Sequence, residues 1–250
     1  MPQPLFKQFL FYAQCFVLAG LLGFFCYLVF YTQVYEWANV WEYRQLFLKG
    51  WLVTICLSAI SLLLSVIFGT IAAVCKGSKY PLLRYSAISY IEFIRGTPLL
   101  VQILVFYYVI AYALDLENRY VAGVLTLSLF SGAYIAEMIR AGIESISSTQ
   151  LESARAICLN RWQTFRFIIF PQAFRLTLPP LAGQFASIIK DSSLLSIIGI
   201  NEFTNSAQQV NSATYSTLES FIPLAAGYLL LTLPISLLSK KLEQRFRYET

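Results

Sequence analysis

Residues Thr149 to Pro180 read TQLESARAICLNRWQTFRFIIFPQAFRLTLPP, a polar, arginine-bearing opening that runs into an apolar stretch punctuated by prolines. Thr149 and Glu152 stand at the T-x-x-E spacing of a capping box, which predicts a helix starting at Gln150. Leu151, Ala154 and Ile157 then share one stripe at helical spacing, with Arg155 off it. Asn160 and Gln163 repeat the cap spacing and predict a second helix from Arg161, with Trp162, Phe165 and Ile169 on its apolar face. Pro171 has no amide donor and predicts a kink, as do Pro179 and Pro180. A short helical hairpin on the cytoplasmic face, feeding a kinked membrane helix, accounts for these signals. An ordinary intracellular loop with two good caps accounts for the spacing equally well.

Working outward, the solvent is lipid. The chain has 250 residues, 58% hydrophobic and only 12% charged, with mean hydropathy +0.64. A soluble domain carries about 25% charged residues. There is no histidine, so the commonest general base and metal ligand is missing. Cys15, Cys26, Cys56, Cys75 and Cys158 show no C-x-x-C spacing, and four of them lie in apolar runs where a thiol acts as a small hydrophobe. No disulfide, no metal and no cofactor is predicted. The net charge of +5 gathers in a few loops rather than in a patch for nucleic acid.

Residues 8 to 35 hold no Asp, Glu, Lys or Arg and are long enough to cross a bilayer of about 30 Å. No A-x-A cleavage site follows, so a retained N-terminal membrane helix is expected rather than a signal peptide. Trp37, Trp41, Tyr35 and Tyr43 then suggest an aromatic belt. Residues 50 to 75 form the second span, and Lys76, Lys79 and Arg84 an inside loop. The third span falls between Tyr85 and Leu114, interrupted by Gly96-Thr97-Pro98, with Glu92 and Arg95 three apart and able to pair on one face. Asp115, Glu117 and Arg119 make a short outside turn. The fourth span covers Tyr120 to Ile139, where Glu137 and Arg140 repeat the three-apart pairing. The fifth runs from near Phe167 to near Lys190 and carries Arg175. Residues 191 to 219 are polar and expected outside, and Ser220 to Ser239 make the last span.

The expected fold is therefore an all-α polytopic integral membrane protein with about six transmembrane helices and both termini cytoplasmic. Twelve basic residues then fall inside (Lys7, Lys76, Lys79, Arg84, Arg140, Arg155, Arg161, Arg166, Lys240, Lys241, Arg245, Arg247) against three outside (Arg44, Lys49, Arg119). The positive-inside bias selects this orientation over its reverse.

No catalytic constellation is present. The chain has no G-x-x-x-x-G-K-[ST] loop for nucleotide phosphates and no histidine to activate a serine or cysteine. Ionisable groups at membrane depth are costly and so invite a functional reading. Arg95, Thr97, Glu137, Lys190, Asp191 and Ser192 are the candidates for lining a substrate path. Structural readings compete with each: snorkelling pairs at Arg95 and Glu137, and an interfacial cap at Asp191.

Four blocks, taken together, resemble the membrane permease of an ATP-binding-cassette importer of the polar amino acid type. They are Gly50-Trp51 with Thr54; Arg95-Gly96-Thr97-Pro98-Leu99-Leu100-Val101-Gln102; Ser131-Gly132-Ala133-Tyr134-Ile135-Ala136-Glu137; and Gln150 through Pro180 running on to Lys190-Asp191-Ser192-Ser193-Leu194. The resemblance covers about residues 50 to 247. It implies a five-helix permease domain over 50–250, preceded by an additional membrane helix and external segment over 1–49. It also implies that the opening stretch is the cytoplasmic coupling loop, with Gln150, Glu152, Ser153, Ala154, Cys158 and Leu159 as its ATPase-coupling residues.

The family carries Glu-Ala-Ala followed by Gly in that loop; the matching positions here are Glu152, Ser153, Ala154 and Cys158. Cysteine lacks the freedom of glycine in a sharp turn, so Asn160 is expected to supply the left-handed residue instead. The implied function is transport, with ATP hydrolysed by a separate subunit rather than by this chain. The implied partners are an ATP-binding-cassette ATPase, a periplasmic or lipid-anchored substrate-binding protein, a second permease subunit (identical or not) and membrane lipid. The implied location is the bacterial cytoplasmic membrane. Arg95 and Asp191 are offered as receivers for the two ends of a zwitterion. An ion-coupled secondary transporter is the alternative; it would favour inverted repeats, which the sequence does not show, and would leave the hairpin without a task.

Overall fold

The computed structural model describes residues 16–21, 23, 24, 27 and 36–246. The chain divides into two compact units, Met1–Asn39 and Val40–Thr250. In the first, the described residues from 16 to 27 are helical. Most of the span expected over 8–35 lies outside the described residues.

In the second unit all regular structure among the described residues is helical. A short α1 (Trp37–Glu42) straddles the boundary between the units; within the second come α2 (Arg44–Lys76), α3 (Pro81–Gly96) and α4 (Leu99–Val105), which continues as a π-turn, Phe106–Ala111. Then come α5 (Arg119–Glu144), α6 (Ser148–Ala156), α7 (Arg161–Thr164) with a π-turn at Phe165–Ile169, and α8 (Phe170–Asp191). A 3-10 turn (Ser192–Ile198), α9 (Phe203–Thr214) and α10 (Thr217–Phe246) complete the chain.

The pairing of α2 with α5 is the largest helix–helix interface. Its cause is a stripe of small side chains. On α2, Gly50, Thr54, Ser58, Ser61, Ser65, Gly69 and Ala72 are buried at three- and four-residue steps. Gly50 and Thr54 lie against Glu202, Phe203 and Ser206, whereas further along α2 the stripe meets α5, which buries Ser128, Ser131, Gly132, Ala133 and Ala136. Small residues let membrane helices approach closely when lipid offers no hydrophobic push. A Cβ added at Gly69 would meet the Gly132 carbonyl oxygen and the Ile135 side chain, each at 2.8 Å. Three of the buried hydroxyls turn back on their own helix: Ser65 donates to the Ser61 carbonyl (2.5 Å), Thr126 to that of Ala122 (2.8 Å) and Ser128 to that of Val124 (2.5 Å). The opposite edge of α2 exposes Leu63, Ile67, Ile71 and Val74, a lipid-facing surface.

Helices α2, α5 and α10 are long and apolar enough to cross a membrane. Together α3 and α4 also pass that test, but they bend by 111° at Gly96–Pro98, so the third span is broken rather than straight. Helix α8, at 22 residues, has the length but not the apolar composition. It carries Gln172, Arg175, Thr177, Gln184 and Ser187, and it packs between α5 and α10. Helix α9 lies within the polar stretch expected outside, and it packs on α2 and α10.

A core of Leu57, Leu99, Ile103, Leu127, Leu195 and Ile200 joins α2, α4, α5 and the 3-10 turn. Beside it sits a buried polar node. Glu202, with no exposed surface, caps α9 by accepting from the amides of Thr204 (2.8 Å) and Asn205 (2.7 Å). It also accepts from the Tyr228 hydroxyl of α10 (2.9 Å), while Thr54 of α2 accepts from the Phe203 amide (3.1 Å). Burial raises the Glu202 carboxyl above its ordinary pKa, and the amide and hydroxyl donors oppose that shift.

Candidate functional site

The hairpin forms, with its first cap shifted. Helix α6 starts at Ser148, not at Gln150: Ser147 is the cap, its Oγ accepting from the Gln150 amide. The chain holds two overlapping cap signals, Ser147-x-x-Gln150 and Thr149-x-x-Glu152, and the earlier one caps the helix. The second cap is as expected. Asn160 Oδ1 accepts from the Gln163 amide and Gln163 Oε1 accepts from the Asn160 amide, both at 2.9 Å. The turn between the helices corrects another expectation. The left-handed residue is Cys158 itself, with φ +57°, whereas Asn160 is extended at φ −72°, ψ 168°. An N-cap needs extended backbone, so Asn160 cannot cap α7 and also turn left-handed.

On α6, Glu152 and Ser153 are exposed with Arg155 and Ala156, while Ala154 is only 1% exposed. Leu159 is half-buried, and its amide donates to the Ala154 carbonyl (3.0 Å), closing the turn. Gln150 is exposed but reaches α8: its Oε1 accepts from Gln172 Nε2 (2.8 Å). Past the hairpin, Pro171 removes a donor, and the π-turn shifts the pattern so that the Phe170 amide bonds the Phe165 carbonyl.

The path candidates fall into two groups. At the first, neither expected local pair forms. Glu137 takes Lys76 Nζ from the end of α2 (2.5 Å) and Arg95 Nη1 from the end of α3 (3.4 Å). Arg140 pairs with Glu144 instead, and Glu92 is exposed. Arg95 also lies over the Tyr134 ring, 5.7 Å from its centroid. Next to Arg95, Gly96–Thr97–Pro98 makes the elbow, and Gln102 stabilises it. Gln102 Nε2 faces the Ile94 carbonyl (2.7 Å), the Thr97 carbonyl (3.1 Å) and Thr97 Oγ1 (2.8 Å). Thr97 Oγ1 in turn donates to the Phe93 carbonyl (3.0 Å). Carbonyls freed by the break thus find donors without water. Sequence reading quoted Gln102 within a motif and missed its task; an amide four residues after a proline break was the available signal.

The second group ends α8. Lys190 is exposed, Asp191 half-buried, and Ser192 buried with its Oγ donating to the Ile189 carbonyl (2.8 Å). Asp191 makes no side-chain cap for the 3-10 turn that follows. The two groups are far apart. Leu195, one turn beyond Asp191, packs near residue 123 of α5, while Arg95 pairs at residue 137. These two contact points on α5 are fourteen residues apart, an axial offset of roughly 20 Å at 1.5 Å per residue. Among the described residues no cluster of His, Cys, Asp and Glu could hold a metal.

Residues 65–248 match the family described as binding-protein-dependent transport system inner membrane component. The glutamine transport system permease protein GlnP of Escherichia coli K12 is 34% identical over 215 residues, covering 85% of this chain and 98% of that protein. The probable glutamine ABC transporter permease protein GlnM of Bacillus subtilis is 35% identical over 206 residues, covering 81% and 95% respectively. Among solved structures, an amino acid ABC transporter with histidines matches with a TM-score of 0.80 at 35% identity, covering 85% of this chain and all of that one.

Proposed function

This chain belongs to the binding-protein-dependent transport system inner membrane component family, and from that premise we propose that it is the path-forming subunit of an ATP-driven importer of amino acids. The relatives named for glutamine and the structure solved with histidines support that substrate class. Residues 50–250 form the permease domain, and 1–49 add a membrane helix and an external segment. Both termini and the hairpin face the cytoplasm. The chain pairs with a second permease subunit, and a binding protein delivers substrate to the outer face.

The observation that carries the reading is α6. It is a capped helix of nine residues with Glu152 and Ser153 exposed, and it buries only Ala154. Such a helix has no core of its own to serve; its outward face suits a groove on a separate ATPase. Cys158 and Leu159 shape the turn that presents it. At the elbow, Lys76 already neutralises Glu137, so the Arg95 guanidinium, with five donors and one long ion pair, is left to receive a substrate carboxylate over Tyr134. Replacement Glu152→Lys puts the opposite charge on the docking face. The variant permease should stay inserted in membranes while its ATPase no longer co-purifies; normal co-purification would refute the docking role.

A further inference from the structure

The block Phe170-Pro171-Gln172-Ala173 belongs to the motif that suggested a permease, yet docking at α6 leaves Gln172 without a task. Its surroundings supply one. Gln172 Nε2 donates to the Ile168 carbonyl (3.0 Å) and to Gln150 Oε1 (2.8 Å). The Ile168 carbonyl can only accept, which fixes the amide nitrogen toward it. Gln150 must therefore present its oxygen, and its own nitrogen is turned away from the contact.

The covalent route from α6 to α8 is indirect. It passes the left-handed Cys158, a four-residue helix and a π-turn. The Gln150–Gln172 bond short-circuits that route, joining the first turn of α6 to the first turn of α8. One residue on, α8 is seated tightly on α5. A Cβ added at Gly142 would meet the Ala173 carbonyl oxygen at 3.0 Å and Thr177 Oγ1 at 2.6 Å. A push on α6 thus reaches α8 where α8 already bears on α5.

We infer that Gln172 is a positioning residue that carries displacement of the docked α6 into α8 through its bond to Gln150. The inference rests on the docking reading given above. Its test uses the full complex of permease, ATPase and binding protein in proteoliposomes, with a mixture of labelled amino acids as the probe. Three quantities are read: ATPase retained on purification, ATP hydrolysed, and label imported per ATP. Replacement Gln172→Leu should leave retention and hydrolysis near wild type and lower import per ATP by about fivefold, the scale of one lost amide hydrogen bond. The double replacement Gln150→Glu with Gln172→Lys should restore most of it, because an ammonium has donors for both the Ile168 carbonyl and the introduced carboxylate. Unchanged import per ATP in Gln172→Leu would overturn the linkage. Loss of retained ATPase in that variant would also overturn it, by making the contact part of docking. A wild-type permease that retains no ATPase would instead overturn the docking reading itself.

Discussion

At the scale of the residue, Cys158 shows what a turn demands of a side chain. A non-glycine residue at φ +57° carries a steric cost of about 1 kcal/mol that glycine avoids. Replacement Cys158→Gly should therefore leave ATPase retention intact and shift stability in detergent by no more than about 1 kcal/mol, in the stabilising direction. Cys158→Val, β-branched, should lower the unfolding midpoint measurably. The need for a left-handed residue came from the resemblance, through the family's glycine; its place was not legible, because Asn160 is favoured both in that conformation and as an N-cap. Glu202 was hidden for another reason: it is one carboxylate in a stretch of Ser, Asn and Gln that reads as surface. Its folded pKa is raised by burial, so the folded state binds its proton more tightly than the unfolded chain does. Its contribution to stability is present at low pH and is lost as pH rises through the folded value. The melting temperature should fall as pH rises from the ordinary carboxyl range through the raised folded value. Glu202→Gln, scanned by the same thermal assay, should show a smaller fall.

At the scale of the element, the break after Arg95 was legible and its support was not. Gly96, Thr97 and Pro98 announce a helix stop to any reader of propensities, but a stop within membrane-buried chain needs donors for the carbonyls it frees. Gln102 provides them from the first turn of α4. Gln102→Leu removes the donor and leaves carbonyls unserved, at a cost of about 1–3 kcal/mol. Gln102→Glu should be at least as damaging, because a carboxylate meets the same oxygens as another acceptor. Thermal unfolding of both variants in one detergent checks the order, and a Gln102→Glu variant as stable as wild type would contradict it. The charge pairs teach a related lesson. Spacing within one helix suggested Glu92 with Arg95 and Glu137 with Arg140, because sequence shows only neighbours along the chain. The fold offers Glu137 cations from two other helices, and Lys76 and Arg95 take those places. One carboxylate thereby ties together the ends of α2, α3 and α5.

At the scale of the whole molecule, the spans were legible wherever a helix is apolar along its length, whether it faces lipid as α10 does or is mostly buried as α5 is. The stretches placed at 50–75, 120–139 and 220–239 lie within α2, α5 and α10. The fifth span, expected from near Phe167 to near Lys190 with Arg175 inside it, falls on α8, which packs between α5 and α10 and so has no need to be uniformly apolar. Orientation follows from a different physics, the retention of Lys and Arg on the cytoplasmic side during insertion. The hairpin offers a native reporter for it. Cys158 is exposed at the turn between α6 and α7, on the same side as Arg155, Arg161 and Arg166. In a background with Cys15, Cys26, Cys56 and Cys75 replaced by alanine, a membrane-impermeant maleimide should leave Cys158 unlabelled in intact cells. The same reagent should label it in inside-out vesicles, and a bound ATPase should slow that reaction. Labelling in intact cells would place the hairpin outside, where no ATP-driven subunit could reach it, and would reverse the charge count of twelve basic residues against three.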